Sequence, residues 1–187
     1  RLAPVSLSCS SPPVLAPEAP RHSLELSVLD AAYLCAAILV TRIALGQRER
    51  LEPREGPLLE PVTATTVTNL SPEHVVERLS PVLETVSRVR ASLAPEKTLI
   101  GFCGSPWTVA TYMIAGHGSP DQAAARTFAL THPEAFGRLL DILVEASIAY
   151  RSAQFHAGAD VVQLCESWAF NLDEHQLTAA SLRPSLS

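Results

Sequence analysis

Tyr112 is the side chain best placed to do chemistry in this sequence. It follows an apolar run at residues 98–103 and a Gly104-Ser105-Pro106 turn, and falls one to two turns into the helix that Pro106 would open. A phenol there is a hydrogen-bond donor close to the free N–H groups of a helix N-terminus. Those N–H groups and the helix dipole favour negative charge, and the C-terminal ends of strands are where open α/β folds hold ligands. An anionic ligand is the chemistry this placement suits. The same residues also fit a plain strand–turn–helix unit in which Tyr112 only packs.

Metal and disulfide chemistry have no spacing to support them. Cys9, Cys35, Cys103 and Cys165 are widely separated with no Cys-x-x-Cys pair, and the six His residues include no pair at i, i+4. Cys103 and Cys165 lie in apolar, strand-like runs, where cysteine behaves as a small buried hydrophobe. A reducing, cytoplasmic setting follows. The formal net charge is -5, and no basic stripe gives a nucleic-acid backbone any footing. The apolar stretch at residues 31–41 is too short for a bilayer, which takes about 20 apolar residues. The 187 residues, 47% of them hydrophobic, suffice for one core.

The elements that would carry Tyr112 can be read in order. Residues 1–23 are rich in Ser, Pro, Leu and Ala without period and read as an unstructured leader. Residues 31–40 suit a strand buried on both faces, and residues 62–70 form a Thr-rich linker. Ser71-Pro72-Glu73 opens a helix with Val75, Leu79, Val82, Val86, Val89 and Leu93 on one face, which Pro81 should interrupt. Ala94-Pro95-Glu96 turns into the strand before Tyr112, and Gly116 offers a left-handed cap to its helix. Ser119-Pro120 starts the next helix, and Thr131-His132-Pro133-Glu134 has capping-box spacing. A long helix follows, apolar at Phe136, Leu139, Leu140, Leu143, Ala146, Tyr150, Ala153 and Ala157 until Gly158, and then a strand at residues 159–165. Strands alternating with helices make this an α/β chain of parallel βα units.

The stretch from Gly101 through Met113, Gly-Phe-Cys-Gly-Ser-Pro-Trp-Thr-Val-Ala-Thr-Tyr-Met, followed by Ala115-Gly116-His117-Gly118-Ser119, resembles the signature of the uroporphyrinogen decarboxylase family. Residues 30–40, Ala44-Leu45-Gly46, Glu55-Gly56-Pro57, Leu59-Glu60-Pro61 and Glu166-Ser167-Trp168-Ala169 are similar to further family segments. The resemblance implies a (β/α)8 barrel, which takes about 250 residues, so residues 24–173 would be a partial barrel and residues 174–187 a tail. It implies a cytoplasmic carboxy-lyase that removes four acetate carboxyl groups from uroporphyrinogen III to give coproporphyrinogen III, in haem biosynthesis, with no metal or other cofactor. It implies Tyr112 and Ser167 as substrate-binding residues, a tetrapyrrole partner and a homodimer, with neither nucleic acid nor membrane.

The departures weigh against activity. At Cys35-Ala36-Ala37 the family reads Phe-Ser-Asp, and that Asp is its central catalytic carboxylate. A methyl group at Ala37 accepts no pyrrole N–H bond and balances no developing positive charge. Arg42 stands at a family Pro, and the family's N-terminal Arg-bearing loop and C-terminal His have no counterpart. The chain begins at Arg1 with its only Met at Met113, which suggests a fragment or termini from shifted reading frames. The expectation is an inactive family member with no catalytic residue retained. The alternative is a non-catalytic tetrapyrrole-binding or interaction module. A cobamide-type methyltransferase on the same barrel would need a close His and Cys pair as zinc ligands.

Overall fold

A computed structural model describes residues 2–7, 31–36, 40–47, 49–52 and 56–186. Four parallel strands form one sheet in chain order: β1 (Leu2–Leu7), β2 (Ala31–Ala36), β5 (Thr98–Gly104) and β6 (Val161–Cys165). A small antiparallel hairpin, β3 (Glu49–Glu52) and β4 (Gly56–Leu59), lies between the second and third of these in sequence. Neighbours in space follow one another in sequence within this sheet, with helices in the described connections from β2 to β5 and from β5 to β6. That is the order of a (β/α)8 barrel, of which the described strands supply a part.

Within the expected leader, residues 2–7 form β1, and residues 8–23 lie outside the described residues. β1 pairs in parallel with β2 from Leu2 opposite Ala31 to Leu7 opposite Ala36. Pro4 and Ser6 weaken its strand signal, but among the described strands β1 is at the edge of the sheet, where a missing N–H costs little. β2 is shorter than residues 31–40: it ends at Ala36, and α1 (Val40–Ala44) begins four residues later.

The helix expected from Ser71 is broken into α2 (Val75–Arg78) and α3 (Ser80–Ser92), with Pro81 in the first turn of the second. Proline is tolerated there because the first N–H groups of a helix lack partners anyway. The expected stripe is buried at Val75, Leu79, Val86, Val89 and Leu93. α4 (Pro106–Ala115) follows β5 and ends as expected, with Gly116 at φ 76°. α5 (Ala123–Thr131) starts later than Ser119-Pro120 suggested, after Gln122 at φ 49°.

The Thr131–Glu134 capping box does not form. The Thr131 hydroxyl donates back to the Thr127 carbonyl at 2.8 Å, and Pro133 simply opens the long α6 (Pro133–His156). Phe136, Leu139, Leu140, Leu143, Ala146 and Tyr150 of α6 join Trp107, Val109, Ala110 and Met113 of α4 in the main core. A smaller cluster joins Val86 and Val89 of α3, and Leu93 just after it, to Leu99 and Ala159.

The chain leaves α6 through Gly158, at φ 109°, beneath Arg90. A Cβ on Gly158 would sit 2.8 Å from Arg90 Cγ. Arg90 has little room to yield, since its guanidinium donates to Asp160 Oδ2 at 2.8 Å and to the carbonyls of Lys97, Leu93 and Ala94. Gly158→Ala combines a left-handed backbone with this clash and is expected to cost about 1–3 kcal/mol. The midpoint of thermal unfolding should fall by roughly 3–10 °C, whereas an unchanged midpoint would mean the loop re-forms freely.

The tail expected beyond Asp173 is ordered. α7 (Glu174–Leu177) opens with a complete capping box: Gln176 N–H donates to the Asp173 carboxylate at 2.8 Å, and the Gln176 side chain accepts from Asp173 N–H. A π-helical turn (Thr178–Leu182) and α8 (Arg183–Leu186) continue it. The Asp173-x-x-Gln176 pattern was the local signal for this start. Among the described residues no helix is long and apolar enough to cross a membrane.

Candidate functional site

The C-terminal ends of β5 and β6 lie side by side, Gly104 opposite Cys165. The Ser105 N–H donates to the Cys165 carbonyl at 2.8 Å, which carries the pairing one residue past the strand. From these two ends the chain launches α4, bearing Tyr112, and the turn at Glu166-Ser167-Trp168. Two stretches far apart in sequence therefore share one rim.

Tyr112 and Trp168 meet there, with ring centroids 6.3 Å apart and planes tilted by 58°. On Tyr112 also lies the guanidinium of Arg42, 5.5 Å from the ring centroid. Arg42 is only 2% exposed, so this cation is largely desolvated and its attraction to the ring face is stronger than at a wet surface. Gly118 passes close to the tyrosine: a Cβ would come within 3.2 Å of Tyr112 Cε1. Tyr112 itself is half-buried and Ser167 is exposed.

Glu166 ties the rim together. Its Oε2 accepts from the hydroxyls of Ser105 and, at 3.1 Å, Ser181. Its Oε1 accepts from the Thr108 hydroxyl and, at 3.0 Å, from the Trp168 N–H. The Thr108 oxygen in turn accepts from the Ser167 N–H at 2.9 Å. Ser105 occupies the N-cap position of α4, directly before Pro106. Its backbone is extended as a cap requires, yet its side chain makes no capping bond and is turned to Glu166. Trp107 adds a bond from its indole N–H to the Trp168 carbonyl at 3.2 Å.

Sequence reasoning located Tyr112 and Ser167, and both stand on this rim. It missed Glu166, Thr108 and Trp168 as partners and treated Arg42 only as a departure. The available signal was positional: Glu166 follows the last residue of β6, and Thr108 lies in the first turn of α4. Ala37 lies outside the described residues. Cys103 is no candidate nucleophile. It is 1% exposed, and burial pushes its thiol above the usual cysteine range, so the reactive thiolate is disfavoured at neutral pH.

A parallel βα sheet in chain order, with helices launched from the C-terminal ends of β5 and β6, defines a barrel-type α/β protein. A sequence model of the uroporphyrinogen decarboxylase (URO-D) family matches residues 7–186, and the chain belongs to that family. Curated relatives include the uroporphyrinogen decarboxylases of Brucella canis and Brucella suis, each 49% identical over 176 residues. The alignment covers 94% of this chain and 51% of theirs, so the chain spans about half the length of these relatives. Among solved structures, a methyltransferase from Methanosarcina mazei superposes with a TM-score of 0.63 at 25% identity, covering 80% of this chain and 44% of that one.

Proposed function

We propose that this chain is a URO-D family member that holds a carboxylate-bearing tetrapyrrole at the rim of β5 and β6 without decarboxylating it. The observation that supports this is the meeting of Tyr112 with the Ser167-Trp168 turn across a long stretch of intervening sequence. Aromatic faces there can pack against a macrocycle, while the Tyr112 and Ser167 hydroxyls can donate to its carboxylates. A cytoplasmic setting and a homodimer belong to the same proposal. Methyl transfer is the second possibility, and its footing is the fold likeness to the Methanosarcina mazei protein. The sequence likeness to decarboxylases is the stronger of the two, at 49% over 94% of the chain against 25% over 80%.

Fluorescence titration with uroporphyrin III, the stable oxidised form of uroporphyrinogen III, tests the proposal. A hydrogen bond to a charged group contributes about 1.5–3 kcal/mol. Tyr112→Phe and Ser167→Ala should therefore each weaken binding by about 10- to 100-fold. The absence of saturable binding to the wild-type chain would sink the idea, as would affinities indifferent to both substitutions.

A further inference from the structure

Ser167 and Trp168 sit on a short turn after a strand, and something must fix the direction of that turn. Glu166 is the only carboxylate among the described residues bonded to three side-chain hydroxyls, and it divides them between its two oxygens. One oxygen faces Ser105 and Ser181, from the start of α4 and the π-helical turn near the C-terminus. The other faces Thr108 and the Trp168 N–H, and Thr108 passes the connection on to the Ser167 N–H. Both donors on the second oxygen thus govern the backbone that presents the rim side chains. Thr108 is itself fully buried, whereas Glu166 and Ser167 are exposed.

We propose that Glu166 and Thr108 form a positioning pair, in which the Oε1–Thr108 branch sets where the Ser167 hydroxyl and the Trp168 ring stand. The Oε2 branch through Ser181 anchors the C-terminal turn and has no part in that placement. Ser167 N–H and Trp168 N–H would both lose their acceptor order without the first branch. A threonine is suited to the task because one hydroxyl can donate to a carboxylate and accept from an amide at once. The consequence for ligand binding rests on the tetrapyrrole reading above, while the placement of the turn does not.

Thr108→Val keeps the side-chain shape and removes the hydroxyl. In the full chain it is expected to weaken uroporphyrin III binding by about tenfold or more, and to speed amide exchange in the segment 166–169 by a similar factor. Thr108→Ser retains the hydroxyl and should restore both. Ser181→Ala should leave affinity and exchange in that segment within about twofold of wild type, even if it lowers thermal stability. The pair is refuted if Thr108→Val changes neither quantity, if Thr108→Ser fails to rescue, or if Ser181→Ala disturbs the turn as much as Thr108→Val does. If the wild-type chain binds no porphyrin, the tetrapyrrole reading falls. The exchange contrast between Thr108→Val and Ser181→Ala then decides the positioning role alone.

Discussion

Incubated anaerobically with uroporphyrinogen III, the purified chain should yield no product with fewer carboxyl groups than the substrate above the enzyme-free background. Loss of carbon dioxide from a pyrrole acetate leaves an electron pair that a protonated pyrrole must accept. The protein's share is to stabilise that cationic ring with an acceptor placed in advance. In the resembling family an Asp does this, and here the matching residue is Ala37, which offers only a methyl group. Removing one preorganised group of this kind costs about 100- to 1000-fold in rate. The chain spans about half the length of its Brucella relatives, so the purified 187 residues carry at most part of a barrel mouth. Together with the missing carboxylate this brings their rate to background. Ala37→Asp alone should not restore turnover, because one group cannot substitute for the rest of a barrel mouth. Chromatographic separation by carboxyl number reads the outcome, and partly or fully decarboxylated products from the wild-type chain would overturn the expectation.

Local chemistry was legible in the sequence, and long-range recruitment was not. Gly116 and Pro81 act as their types predict, because a left-handed cap and a proline break are decided within a few residues. The apolar stripes of α3 and α6 were legible for the same reason: helical period and burial coincide. Ser105 and Thr131 do not cap as their spacing suggests. A hydroxyl bonds whichever acceptor the fold brings near, and Glu166, 61 positions away, claims the first. The second bonds within its own helix. β1 is hidden from sequence because its evidence is a partner strand, not a period, and Pro4 argues against a strand unless its edge position is known. Tyr112 and Ser167 were singled out through their family likeness, whereas the bonds that link Glu166 and Thr108 to the Ser167 turn emerge only when β5 and β6 are set side by side.

The largest stability effect is expected within the paired segment of β5 and β6, at Gly101. Gln154 reaches from α6 to the strand and bonds both backbone groups of Phe102: its Oε1 accepts the N–H and its Nε2 donates to the carbonyl, each at 3.0 Å. The side-chain amide thus stands in for a neighbouring peptide. Gln154 is 1% exposed, so no water can take over either bond. A Cβ on Gly101 would lie 2.4 Å from Gln154 Oε1 and 3.2 Å from Val162 Cγ2. The glutamine can escape only by giving up its two bonds to Phe102, each worth about 0.5–1.5 kcal/mol. With the strain of forcing a methyl group into a packed contact, Gly101→Ala should destabilise the fold by roughly 2–5 kcal/mol. Gln154→Ala should cost about as much, since it removes the same two bonds and leaves a cavity. Combined, the two changes should be far from additive, because the shorter side chain at position 154 removes the atoms that the new methyl group would strike. A double-mutant cycle read by urea unfolding should return a coupling of about 1–3 kcal/mol in favour of the pair. Additive losses would mean that the Gly101 requirement comes from Val162, and that the bonds from Gln154 to Phe102 contribute little.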